Sequence, residues 1–226
     1  MRYALLGLIA AGMFALTCAG PALALSDCEK QEGFVPLFDG KDMEKWVVMG
    51  DPAWSVQNGI LVCSGQGHGW LRSKGEFKDF VLRLEYRISP GGNSGVFVRA
   101  TEGGNPAFTG MELQIMSDHN QAPGVHSTAS VYDAIAPSAN LSRPAGDWNS
   151  MEVTLVGSGI AVALNGRTVV AADLSDKELN AKLAEDVKFW NRAKTGFIGL
   201  QNHGTKVEFR DVRIRALEPM KAPVNP

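Results

Sequence analysis

Phe80-Val81-Leu82-Arg83-Leu84-Glu85-Tyr86-Arg87-Ile88 decides the fold. After the opening apolar triplet, Arg83, Glu85 and Arg87 alternate with Leu84, Tyr86 and Ile88. Successive side chains point to opposite faces of a strand, so this one has a core face and a solvated face. Val207-Glu208-Phe209-Arg210-Asp211-Val212-Arg213-Ile214-Arg215 repeats the pattern. One-sided alternation belongs to antiparallel sheets, because parallel ones are covered on both faces.

Outward from these two runs, strands are predicted at 54–56, 60–64, 70–73, 94–100, 111–116 and 129–132. Further strands are predicted at 150–156, 160–164, 168–171 and 195–201. Asn165-Gly166 separates two of them and signals a type I′ hairpin. One helix is expected, with Ser175 as cap, Glu178 as its capping-box partner and Leu179, Leu183 and Val187 at helical spacing. A dozen short strands with one short helix make an all-β sandwich of two antiparallel sheets. A curved sheet in such a sandwich has a concave face that can hold an elongated ligand.

The chain has 226 residues and a formal net charge of −2, with no basic cluster, so nucleic acid is excluded as a partner. Residues 1–24 read as an export signal. Arg2 supplies the positive start, residues 4–19 the apolar run, and Ala22-Leu23-Ala24 the cleavage pattern. The expected location is the periplasm or the outside of the cell, with no integral membrane segment in the mature chain. Residues 25–218 then form a single domain, and the Pro-rich residues 219–226 a disordered tail. An oxidising compartment allows a Cys28–Cys63 disulfide. A buried free Cys63 with a loose Cys28 is an equally good reading.

Gly110-Met111-Glu112-Leu113-Gln114-Ile115-Met116-Ser117-Asp118-His119 carries the chemistry. Alternation puts Glu112, Gln114, Met116 and, if the strand continues, Asp118 on one face and Leu113 and Ile115 on the core side. In Asn93-Ser94-Gly95-Val96-Phe97-Val98-Arg99, Gly95, Phe97 and Arg99 share a side, which is expected to bring Arg99 near Glu112. In Gly199-Leu200-Gln201-Asn202-His203-Gly204, Gly199, Gln201 and His203 share a side. An acid, amides and an imidazole on one sheet face point to a small carbohydrate ligand. His126, Tyr132 and Asp133 are expected as walls, from a loop beside the Glu112 strand. His68 and Trp70 read as a connecting loop or rim, and Trp148 as a core residue.

The same residues limit the reaction. A standard glycosidase needs two carboxylates about 5–5.5 or 6.5–9.5 Å apart. Asp118 would lie about 20 Å along an extended strand from Glu112, at ~3.3 Å per residue. No nucleophile-elbow serine motif or phosphate loop is present. His203, His126 and Glu112 are the set that would hold a single divalent cation, on spacing that gives little support.

Several motifs resemble one family. Phe34-Val35-Pro36-Leu37-Phe38-Asp39-Gly40 with Trp46 is similar to the opening of the 3-keto-disaccharide hydrolase domain. Asn93–Arg99, Gly110–Ile115 and Gly199–Gly204 followed by Val207–Ile214 resemble its later motifs in order, with Asp211 where Asn is usual. The resemblance spans about residues 34–217. It implies a concanavalin A-like sandwich, or jelly roll, and cleavage of 3-keto-glycosides by proton abstraction at sugar carbon 2, elimination and hydration. It also implies a divalent metal in some members and no organic cofactor. Either His203 or Glu112 would be the base, with His203 favoured because imidazole titrates near neutrality. Arg99, Gln114, Gln201 and Asn93 would hold the sugar, and Tyr132 and His126 the leaving-group side. The contrasting reading is a non-catalytic, lectin-like carbohydrate-binding domain using the same face.

Overall fold

The computed structural model describes residues 25–51 and 53–217. The export signal and the whole of the predicted tail lie outside the described residues. Thirteen strands form two antiparallel sheets. The larger is ordered β11 (Arg167–Asp173), β10 (Gly159–Leu164), β9 (Asn149–Val156), β6 (Phe80–Ile88), β13 (Val207–Ala216), β4 (Ile60–Cys63) and β3 (Trp54–Gln57). The free edge of β13 is long enough for two partners: β4 pairs with residues 207–209 and β1 (Val35–Phe38) with residues 212–214. The smaller sheet runs β2 (Trp46–Gly50), β5 (Gly69–Phe77), β12 (Gly196–Asn202), β7 (Asn93–Ala100) and β8 (Met111–Met116).

β6 behaves as its pattern requires, and β13 does so on either side of a bulge at Asp211, whose φ is +52°. Leu82, Leu84, Tyr86 and Ile88 of β6 join Phe209, Val212 and Ile214 of β13 in the core, against Val96, Val98, Leu113, Ile115, Ile198 and Leu200 of the smaller sheet. Burying each large aliphatic side chain contributes about 1.5–3 kcal/mol, and this sets which face of each strand turns inward. The outward residues of the larger sheet form a charged lattice: Arg83 with Glu152 (2.6 Å), Arg210 with Glu85 (2.6 Å) and Arg213 with Glu29 (2.6 Å).

Several elements differ from the sequence reading. Trp148 is not in the core. It lies half-buried on that charged face, with the Arg87 and Arg210 guanidiniums 4.8 and 4.1 Å from its ring. β1 and β2 lack a long enough alternating pattern to be read from sequence. In residues 129–132 only Val131 makes isolated bridges, one to Leu113 of β8 and one to Ile135, so no strand forms there. The expected helix is only Lys177–Ala181 (α3), capped by Asp176 rather than Ser175, whose hydroxyl is engaged by Asp173. Two further short helices form, α1 (Asp27–Gln31) and α2 (Pro106–Thr109), each started by a side-chain cap. The Asn165-Gly166 turn has positive φ at both residues, 50° and 82°, as type I′ demands. Cys28 is exposed and Cys63 buried, and both are free thiols. No helix among the described residues is long and apolar enough to cross a membrane.

Candidate active site

The outward face of the smaller sheet collects polar side chains over an aromatic floor. Register sets this arrangement. Glu112 of β8 stands opposite Phe97 of β7, Phe97 opposite Gly199 of β12, and Gln201 opposite Trp70 of β5. Two glycines make room for it. A Cβ on Gly95 would stand 2.2 Å from Glu112 Oε1, and one on Gly199 would stand 2.3 Å from the Trp70 ring. A side chain at either position would collide with the group lying over it. Trp70 and Phe97 meet edge to face at 5.6 Å over this gap.

Glu112 is the centre of the face and is only 4% exposed. Burial pushes its carboxyl up from 4.5 to about 7, and a hydrogen bond with the Gln201 side chain pulls partway back. No other carboxylate is among the groups that shift it. The other oxygen group of this pair, Gln201 Oε1, is buried without a partner. Gln114, 3% exposed, turns its Oε1 to the backbone N–H of Ile115 (3.0 Å).

One rim carries His203, exposed at the end of β12. Asn93 Nδ2 donates to its Nδ1 (3.3 Å), which leaves the Nε2–H free as a donor. Asn93 Oδ1 is a second buried acceptor without a partner. The His68 ring faces that of His203 at 6.2 Å, edge to face.

The opposite wall is the loop after β8. Asp118 anchors it, accepting from Thr128 N–H (2.7 Å), Thr128 Oγ1 (2.6 Å) and Ser142 Oγ (3.3 Å). Asp118 is therefore a buried support for the loop. The loop then runs along β8, and the Tyr132 N–H donates to the Glu112 carbonyl (2.9 Å). His126 packs on Tyr132 at 4.9 Å and pairs with Asp133 through Nε2 (3.2 Å).

Arg99 does not join this face. Its φ of +51° breaks the strand alternation and sends the side chain to the end of the sandwich. There it is 2% exposed, paired with Asp79 (3.0 Å) and donating to the carbonyls of Lys78 (2.7 Å) and Gly157 (2.9 Å). The expectation that it lies near Glu112 is corrected by this backbone twist, which no spacing rule reveals.

Two groups went unread in the sequence. Arg192, from an irregular segment before β12, is buried and donates to the carbonyls of Gly110 (3.2 Å) and Val187 (2.7 Å). Burial lowers its guanidinium to about 10, against the attraction of Asp133. Phe108 of α2 packs between Arg192 (5.8 Å) and Tyr132 (6.3 Å). Neither sits in a periodic run, so pattern could not find them. Among the described residues no three His, Cys, Asp or Glu side chains converge to hold a metal ion. His126, the expected third ligand beside His203 and Glu112, is instead engaged by Asp133. The donor set therefore does not fit the metal that the resemblance implies.

Three comparisons bear on this arrangement. The sequence profile of a family described as the 3-keto-alpha-glucoside-1,2-lyase-like domain matches residues 33–215. A protein of Bacteroides thetaiotaomicron named 3-keto-disaccharide hydrolase is 26% identical, over 83% of this chain and 79% of its own length. A putative glycosyl hydrolase from Parabacteroides distasonis, solved as a crystal structure, superposes with a TM-score of 0.79 at 25% identity, over 88% of this chain and all of that one. A second from the same organism gives 0.69 at 28% identity, over 81% and 99%.

Proposed function

The chain belongs to the 3-keto-alpha-glucoside-1,2-lyase-like domain family, and on that premise we propose that it cleaves 3-keto-glycosides with Glu112 as the base. The observation that carries this reading is Glu112 itself: one central carboxyl, nearly dry, raised to about 7, with no second carboxylate shifting it. A paired-carboxylate glycosidase needs two acids that feel one another. A single base poised near neutrality suits proton abstraction next to a ketone.

In this reaction the carbon-3 ketone acidifies the carbon-2 hydrogen. Glu112 takes that proton and the electron pair moves toward the ketone oxygen as an enolate. His203 Nε2–H, its ring oriented by Asn93, would donate to the enolate oxygen. The enolate then expels the anomeric substituent, and water adds to the resulting double bond. The acceptors Gln201 Oε1 and Asn93 Oδ1, both without partners, would take up sugar hydroxyls. Tyr132 and His126 form the wall across the face from His203. The ordinary titration range of imidazole favours His203 as the base, but its exposure and its free donor suit it better to the enolate. The exported location is kept in this proposal, on the leader in residues 1–24.

The test is product release from a 3-keto-disaccharide, with the unoxidised disaccharide as control and with and without a chelator. Glu112→Gln is expected to lose at least ~100-fold in kcat, the usual worth of a positioned base. Wild-type rates in that variant would refute the assignment. Tight calorimetric binding of unoxidised glycans without turnover would favour the carbohydrate-binding reading instead.

A further inference from the structure

The connection between β4 and β5 is built more tightly than a linking turn requires. His68 N–H donates to Asp51 Oδ2 (2.8 Å), and the Asp51 N–H donates back to the His68 carbonyl (3.0 Å). Three glycines close around this exchange, all with positive φ. A Cβ on Gly50 would stand 2.6 Å from the His68 carbonyl oxygen, one on Gly67 would stand 2.1 Å from the Asp51 carboxylate, and one on Gly69 would stand 2.1 Å from the Met49 carbonyl. Asn202 Nδ2 then donates to the Gln66 carbonyl (2.9 Å), tying this connection to the residue before His203.

The fixed backbone aims one side chain. Gly69, with a φ of +136°, interrupts the alternation between His68 and Trp70, so it is the contact with His203 that places the His68 ring on the site face. Its ring meets that of His203 edge to face at 6.2 Å, and both rings are exposed to solvent at the mouth of the site. Holding this backbone so firmly serves no packing of the His68 side chain, which joins no apolar cluster.

We infer that His68 is a second catalytic imidazole of this site, giving a proton to the anomeric oxygen as it departs. The inference rests on the 3-keto-glycoside reading above. In the elimination step the carbon 1–oxygen bond breaks and its electron pair stays on the leaving oxygen. Protonated His68 supplies the proton that turns this oxygen into an alcohol. Glu112 releases the carbon-2 proton to water and His68 regains one from water, so the net reaction consumes substrate and one water. Three groups then divide the work: Glu112 removes the proton, His203 holds the enolate and His68 serves the leaving group.

The experiment compares two substrates that share one 3-keto sugar. One carries a sugar as leaving group, a poor one that needs a proton. The other carries 4-nitrophenol, which leaves readily as an anion. In His68→Ala and His68→Gln, kcat/KM is expected to fall about 100-fold on the first and less than about threefold on the second, as loss of a general acid requires. Equal losses on both substrates would overturn the inference, because they would mean that His68 only shapes the rim. Unchanged rates on both would overturn it as well. Failure of the wild-type protein on both substrates would instead refute the underlying reaction. His68 is exposed, so both variants are expected to melt at the wild-type temperature.

Discussion

Replacing Glu112 by Gln is expected to destroy activity and to stabilise the protein at neutral and alkaline pH. The carboxyl titrates near 4.5 when exposed and near 7 in the fold, because burial disfavours its charged form. At 1.36 kcal/mol per unit, that displacement is a cost of about 3 kcal/mol for keeping the ionised group folded. The sign follows from proton uptake. Below pH 4.5 both states hold the proton and the cost is absent. Between 4.5 and 7 the folded protein holds a proton that the unfolded chain has lost, so stability falls as pH rises. Above 7 the loss is complete. Gln carries no charge, keeps nearly the same volume and can still meet Gln201, so it removes the slope.

Urea unfolding of both proteins from pH 4 to 8.5 reads this directly. The two should unfold together near pH 4. The variant should be more stable by about 3 kcal/mol at pH 8, a rise in midpoint of about 1–3 M at ordinary urea sensitivities. Other titrating groups cancel in the difference. A gap between the two proteins that does not change with pH would refute the buried-carboxyl argument, and with it the case for Glu112 as a base poised at neutrality.

Gly95→Ala places a methyl carbon 2.2 Å from Glu112 Oε1, so the carboxyl must swing away from Gln201. Activity should fall about 100-fold, the cost of displacing a catalytic group by about 1 Å, while circular dichroism keeps the wild-type sheet signal. Arg99→Ala leaves Asp79 buried without the Arg99 cation at the sandwich end, with the Gly157 N–H (2.8 Å) still donating to it. It should lose about 3–5 kcal/mol in urea unfolding, and the double variant Arg99→Met with Asp79→Leu should recover much of that.

How much of this was legible depends on the reach of each interaction. The alternation in β6 and β13 is local, so the two-sheet sandwich and its core face follow from the sequence. The Asn165-Gly166 turn is equally local, since both residues tolerate positive φ. The face that carries Glu112, Gln114, Gln201 and His203 also follows from alternation, because a strand keeps its side chains in register with its pleat. What alternation cannot report is a break in itself. Arg99 leaves the face through one left-handed residue, and its partners Asp79 and Gly157 are 20 and 58 positions away. Arg192 comes from an irregular segment and the Asp51–His68 lock from two connections, and neither carries a period. Sequence determined that Glu112, Gln114, Gln201 and His203 share one face of the smaller sheet. Only tertiary structure decided which of them are dry, because the raised carboxyl of Glu112 depends on its burial against β7 and on Gln201 of β12, which are distant in sequence.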